Sequence, residues 1–130
     1  MLDVPNEDHL QQVLDAAGSM AARAGVTFNS GHLLLALLSL DNEACPILVD
    51  RGLTTSQVAI QLAQVEAGEG HDMLTRVRDR CQRLAQSCGS RQVSVLHLLI
   101  VLCSLQECVA CKIITSLGVD PNSLRTVALA

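Results

Sequence analysis

The chain has 130 residues, 49% of them apolar and 17% charged, with a formal net charge of −4. This apolar content excludes a disordered chain and is enough to build the core of one domain or two small repeats. Nine cationic against thirteen anionic side chains, one Phe and no Trp or Tyr exclude a broad phosphate-binding face and a base-stacking platform, so no nucleic acid is expected as a partner. No apolar run reaches the roughly 20 residues that span a bilayer. The opening MLDVPNEDHL has neither the basic nor the apolar stretch of an export signal. The expectation is a soluble, cytoplasmic protein with no membrane partner.

In chain order the pattern is helical throughout. Residues 7–24 carry apolar side chains on one arc, as an amphipathic helix does. Asn29 or Ser30 is placed to cap a second, almost wholly apolar helix at 31–40. A third helix at 43–51 stops at Gly52, and a fourth follows Thr54 and runs over 55–67. Gly68-Glu69-Gly70 reads as a short linker. A second amphipathic helix covers 72–88, Ser94 caps an apolar one at 95–105, and a further helix at 108–117 stops at Gly118. Asp120-Pro121 then pairs a capping residue with a first-position proline ahead of a last helix at 121–130. No segment alternates in the manner of a strand. The fold class expected is all-α.

An internal repeat organises these elements. His32-Leu33-Leu34-Leu35-Ala36-Leu37-Leu38-Ser39-Leu40 matches His97-Leu98-Leu99-Ile100-Val101-Leu102-Cys103-Ser104-Leu105 at an offset of 65, with six of nine positions identical. Downstream, Ile47 and Gly52 match Ile113 and Gly118 at 66; upstream, Leu10, Val13 and Ala17 match Leu74, Val77 and Cys81 at 64. Loops tolerate such one-residue slips and helices do not. The chain therefore reads as two tandem four-helix repeats, one over about 7–67 and one over about 72–130, joined too tightly to separate far.

The Ala-rich first helix, His32–Leu38 and the run Leu48-Val49-Asp50-Arg51-Gly52-Leu53 together resemble the duplicated N-terminal domain of Clp-type AAA+ unfoldases. The pattern recurs at His97–Cys103 and Ile114-Thr115-Ser116-Leu117-Gly118-Val119, so the resemblance covers residues 7–130. It implies eight helices packed with pseudo-twofold symmetry. It also implies a chaperone role in proteolysis: a mobile docking platform where adaptors and substrates bind before an ATPase ring unfolds them. The partners implied are adaptor or substrate proteins and peptides, or Clp ATPase or peptidase subunits.

No Gly-x-x-x-x-Gly-Lys-Ser/Thr motif is present, and the single lysine, Lys112, falls inside the helix at 108–117. The expectation is a protein that is not an enzyme, without catalytic residues. Two settings stay open, a domain of a larger ATPase chain and a stand-alone accessory relative; the short last helix leans toward the first. One departure bears on mechanism. The residue before the signature His is usually Glu in that family, and here it is Gly31 and Leu96. In members that read phosphorylated arginine, the Glu pair is implicated in holding the guanidinium, a bidentate contact that neither Gly nor Leu offers. Recognition of phosphoarginine by that route is not expected.

The cysteines and histidines invite chemistry. Cys45, Cys81, Cys88, Cys103 and Cys111 read as small core residues, and Cys108 as the most exposed thiol. Cys108-x-x-Cys111 suggests zinc or redox work, but no second pair or nearby His completes a tetrahedral set, so neither metal nor cofactor is expected. His32 and His97 hold equivalent places in the first turns of the apolar helices. A buried His bonded to neighbouring backbone accounts for both, and no nucleophile-and-base set surrounds them.

Residues 73–91 hold Arg76, Arg78, Arg80, Arg83 and Arg91 against Asp79 alone. Arg76, Arg80 and Arg83 share one face, either as a plain solvated surface or as a landing site for an acidic partner segment. The resemblance implies that the first and fifth helices border a groove used by partners. The partner-binding candidates are then Leu10, Val13, Arg76, Asp79, Arg80 and Arg83, although Leu10 and Val13 equally suit a plain core.

Overall fold

Each periodic segment is a helix in the computed structural model, which describes residues 4–64 and 71–129. The helices are α1 (Asp8–Ala24), α2 (Ser30–Ser39), α3 (Ala44–Asp50), α4 (Thr55–Gln64), α5 (His71–Ser87), α6 (Val95–Ser104), α7 (Val109–Ser116) and α8 (Pro121–Leu129). The two halves match in element length: α1 and α5 have 17 residues each, α2 and α6 have 10 each. The expected linker at 68–70 lies outside the described residues. No single described helix is long and apolar enough to cross a membrane.

The core forms around α2 and α6. Leu34, Ala36 and Leu37 of α2 and Leu99 and Leu102 of α6 are wholly buried. Helices apolar on all sides need cover on all sides. α2 is covered by α1, α3, α4, α6 and α7, and α6 by α1, α2, α3, α5, α7 and α8. α2 meets α7 as α6 meets α3, and α4 meets α7 as α8 meets α3. Exchanging the halves thus maps these packings onto one another, giving two four-helix repeats related by pseudo-twofold symmetry.

Burying a helix start leaves its first N–H groups without water, so they need partners. Asn29 Oδ1 accepts from Gly31 N at 2.8 Å, while Asn29 N donates to His32 Nδ1 at 3.0 Å. Ser94 Oγ accepts from His97 N at 3.3 Å, and Ser94 N donates to His97 Nδ1 at 2.9 Å. These are reciprocal capping boxes in which His takes the place usually held by Glu or Gln. Both expected caps are thereby located, and both histidines are buried and bonded to local backbone. Gly25, Gly52, Gly89 and Gly118 all have positive φ, between 68° and 85°, where the chain turns back after a helix.

Two features depart from the sequence reading. The segment before α1 is extended and belongs to the other half. Asn6 and Val93 form an isolated parallel bridge, with Glu7 N donating to Val93 O at 2.9 Å and Val93 N to Pro5 O at 2.8 Å. The second departure is a correction. Cys108 is fully buried, not the most exposed thiol, and Cys88 is exposed. α7 begins at Val109, so Cys108 is its N-cap; its Sγ accepts from Cys111 N at 3.4 Å and donates to Leu102 O at 3.4 Å. α5 ends at Ser87, and Cys88 lies past the helix beside Gly89 and off the apolar arc. Cys81, Cys103 and Cys111 are buried as expected, and Cys45 is half-buried.

Gly31 shows how closely α2 is covered. A Cβ there would lie 2.6 Å from Leu62 Cδ1, 2.9 Å from Asn29 Oδ1 and 3.0 Å from Val109 Cγ1. At Gly18, inside α1, a Cβ would meet only Phe28, at 4.0 Å. Gly31→Ala is expected to lower stability by about 1–3 kcal/mol through overpacking. Gly18→Ala should raise it by about 0.5–1 kcal/mol through helix propensity. Urea unfolding of the two variants beside the native chain measures both signs.

Candidate functional site

α1 rests on α2 and α6, and α5 rests on α6. Between α1 and α5 a groove of about 520 Å³ remains, lined mostly by apolar side chains: Leu10 and Leu14 of α1, Leu74, Val77 and Cys81 of α5, Phe28, and Leu33 and Leu98 of the two central helices. Asn6, Arg78 and Gln82 supply polar groups, and Val4 and Pro5 add a wall from the extended N-terminal segment. An apolar concavity with a few polar groups at its edge suits a peptide or small apolar ligand.

The structure divides the sequence candidates into three positions. Leu10 is buried and lines the groove; Val13, fully buried, belongs to the core. Arg76, Asp79, Arg80 and Arg83 are exposed on α5 outside the groove lining. Arg76 Nη2 lies 3.7 Å from Glu107 Oε1, with both side chains largely solvated, and Arg78 Nε lies 4.0 Å from Asp79 Oδ1. Such surface pairs contribute about 0–1 kcal/mol, so Arg76 stays available to a partner at little cost. Among the described residues neither Arg80 nor Arg83 is ion-paired.

The sequence reading missed Leu14, Phe28, Leu74 and Gln82 as groove residues, and it counted Arg78 only as charge. Leu14 and Leu74 are half-buried at the margin of the apolar arcs. That marginal position is the one signal that separates a groove wall from core. Nothing in the sequence brings Val4 to Gln82.

Two further concavities flank the capping boxes at equivalent places in the repeats. The first, of about 680 Å³, is mostly apolar and includes Met20, Val26, Asn29, His32 and Leu62. The second, of about 490 Å³, is polar and includes Glu7, Glu43, Arg91, Ser94 and His97. Gly31, beneath the first, has no room for a larger side chain while Leu62 and Val109 hold their positions. Among the described residues no group of three His, Cys, Asp or Glu side chains is placed to hold a metal ion. Nor do they form a catalytic constellation. Burial pushes the Cys81 and Cys103 thiols up to about 12, and burial together with the Glu107 carboxylate raises Cys111, so these three stay protonated and unreactive.

Residues 69–129 match the family model of the Clp repeat (R) N-terminal domain. That match falls on the second of the two repeats. As a whole, the chain is similar in fold to the N-terminal domain of the caseinolytic protease associated chaperone ClpD from Arabidopsis thaliana. That match has a TM-score of 0.78 at 18% identity and covers 95% of this chain and 94% of that one. It is also similar to a structure from a study of a malarial protein secretion system, with a TM-score of 0.71 at 16% identity over 95% of this chain and 91% of that one. At these identities the likeness is one of fold. No curated protein sequence matches the chain significantly. In this fold α1 and α5 form the two long walls of the groove.

Two outcomes follow for the titratable groups. Burial lowers the His97 pKa below its ordinary 6.5, and the nearby Glu7 carboxylate opposes this without reversing it. The unfolded chain therefore binds a proton more readily than the folded one as pH falls through 6.5, and His97 costs stability on the acid side. The urea midpoint should drop between about pH 7.5 and about pH 5.5, and less so in His97→Gln. Native-state labelling with a maleimide should modify Cys88 first, with Cys81, Cys103, Cys108 and Cys111 protected until unfolding, as peptide mapping after a timed quench will read.

Proposed function

We propose that the chain is a non-catalytic docking module for Clp-type ATP-dependent proteolysis, taking substrate or adaptor segments in the groove between α1 and α5. The observation that carries this reading is the apolar groove with Arg78 at its edge and the solvated Arg76, Arg80 and Arg83 on the same helix. An apolar anchor entering the groove loses water, and carboxylates flanking it meet these cations. The charge adds mainly to encounter rate and to the choice of partner. An acidic, partly apolar segment is the occupant that suits both features. The Clp-N fold supports the assignment to unfolding and proteolysis, where such a module presents clients to a separate ATPase ring.

The test is affinity capture from the source cell with the chain as bait, followed by binding of the captured partner to variants. Arg80→Glu with Arg83→Glu should weaken that binding about tenfold, and rising salt should weaken the native complex as well. Leu74→Ser should weaken it independently of salt, with the helical circular dichroism of both variants unchanged. Clp ATPase or peptidase subunits in the eluate point to work on the protease itself, and an adaptor or client alone to work upstream of it. A partner that binds all the variants as tightly as the native chain rules out the groove.

A further inference from the structure

The extended segment before α1 is held in a way that says what else fits there. Gln82 of α5 reads both main-chain groups of Val4, its Oε1 accepting from Val4 N and its Nε2 donating to Val4 O, each at 2.9 Å. Val93 N donates to Pro5 O at 2.8 Å, and Glu7 N donates to Val93 O at 2.9 Å. All four bonds address the backbone of the segment, so any extended chain with free N–H groups at the first and fourth positions satisfies them. One contact is specific to a side chain: Glu7 Oε1 accepts from Val95 N at 2.9 Å, placing a carboxylate at the start of α6. Little apolar burial adds to this, because Val4 is half-buried and Pro5 is exposed.

We infer that Val4–Glu7 is a built-in occupant of a strand-accepting site, and that an extended partner segment with an aliphatic residue followed three positions later by a carboxylate binds by taking its place. Release of the segment frees the Gln82 amide, both main-chain groups of Val93 and the Val95 N–H, which together form a ready edge beside the groove. An incoming strand restores each of these bonds, and its aliphatic residue sits where Val4 now walls the groove. Arg78 at the groove edge favours an acidic segment over a basic one. The inference uses the docking reading only to say that the displacing strand comes from a partner. The site itself is tested without one.

The probe is a fluorescent peptide carrying residues 4–10, acetyl-VPNEDHL, added to the full chain. Glu7→Pro removes one main-chain donor and the carboxylate from the resident segment, at a φ of −68° that proline adopts, and leaves Gln82, Val93 and Val95 intact. Anisotropy is expected to show the probe binding Glu7→Pro about tenfold tighter than the native chain, because the competent state is more populated. Gln82→Ala in the same background should abolish the gain, and a probe with Gln in place of its Glu should bind more weakly. A folded Glu7→Pro chain that binds the probe no better than the native chain overturns the inference, as does indifference to Gln82→Ala. Should Glu7→Pro fail to fold, hydrogen exchange on the native chain decides. The Glu7 and Val93 amides should exchange by local opening well ahead of Leu99 in α6, and exchange only with global unfolding overturns the proposal. Failure here leaves the groove reading standing. A partner that the groove variants bind as tightly as the native chain does removes that reading without touching the strand site.

Discussion

Two helices that are apolar on every side govern this structure. α2 and α6 each present about ten residues with almost no polar face, and neither is stable unless other helices surround it. One repeat does not supply that cover. α2 takes part of its cover from α7 of the other half, and α6 takes part of its cover from α3. The duplication seen in the sequence is thus a physical necessity of the fold. Each half contributes a central helix that the other half helps to enclose.

Burying those helices creates a second requirement at their starts, where N–H groups point into a space without water. The polar chemistry of the sequence is largely spent there. His32 and His97 accept from the caps Asn29 and Ser94, and Glu7 and Ser30 reach across to Val95 and Ala110 of other segments. Cys108 does the same for α7 through its sulfur. No buried side-chain nitrogen or oxygen among the described residues lacks a partner. Residues that suggest catalysis when read as a string are here the means of closing a core, which is why a chain with six cysteines and four histidines forms no metal site among its described residues.

The groove is a by-product of the same arrangement. α1 and α5 are equivalent helices that cover the centre from adjacent sides, and the space between them is floored by Leu33 and Leu98 rather than filled. Their outer faces are free to differ because neither contributes to the core. α5 uses that freedom for a run of arginines, while α1 carries Asp8 and Asp15 among its exposed residues. The two concavities at the capping boxes differ likewise, one apolar and one charged, though built on equivalent positions. Symmetry is kept where packing demands it and lost where solvent permits.

The amino-acid sequence by itself determined the helices, their caps, the glycine stops and the repeat. All of these depend on interactions within a few residues or on a periodicity that burial imposes: Asn29 bonds three residues on, and Leu34 faces the core because its neighbours at helical spacing do. The all-α class and the equivalence of His32 and His97 follow from the same local rules. Tertiary structure alone decided which margins of the apolar arcs become a groove and which become core. Leu10 and Val13 sit on one arc, yet only Leu10 reaches the space beside α5. It also decided that Cys108 turns inward and Cys88 outward, a consequence of where α7 begins and α5 ends to within a residue. The pairing of Val4 with Gln82 spans 78 positions and uses, on the Val4 side, only backbone groups, so no pattern of side chains along the chain announces it. Contacts of that kind are fixed by where packed helices bring two stretches of chain together, and the order of the letters does not record them.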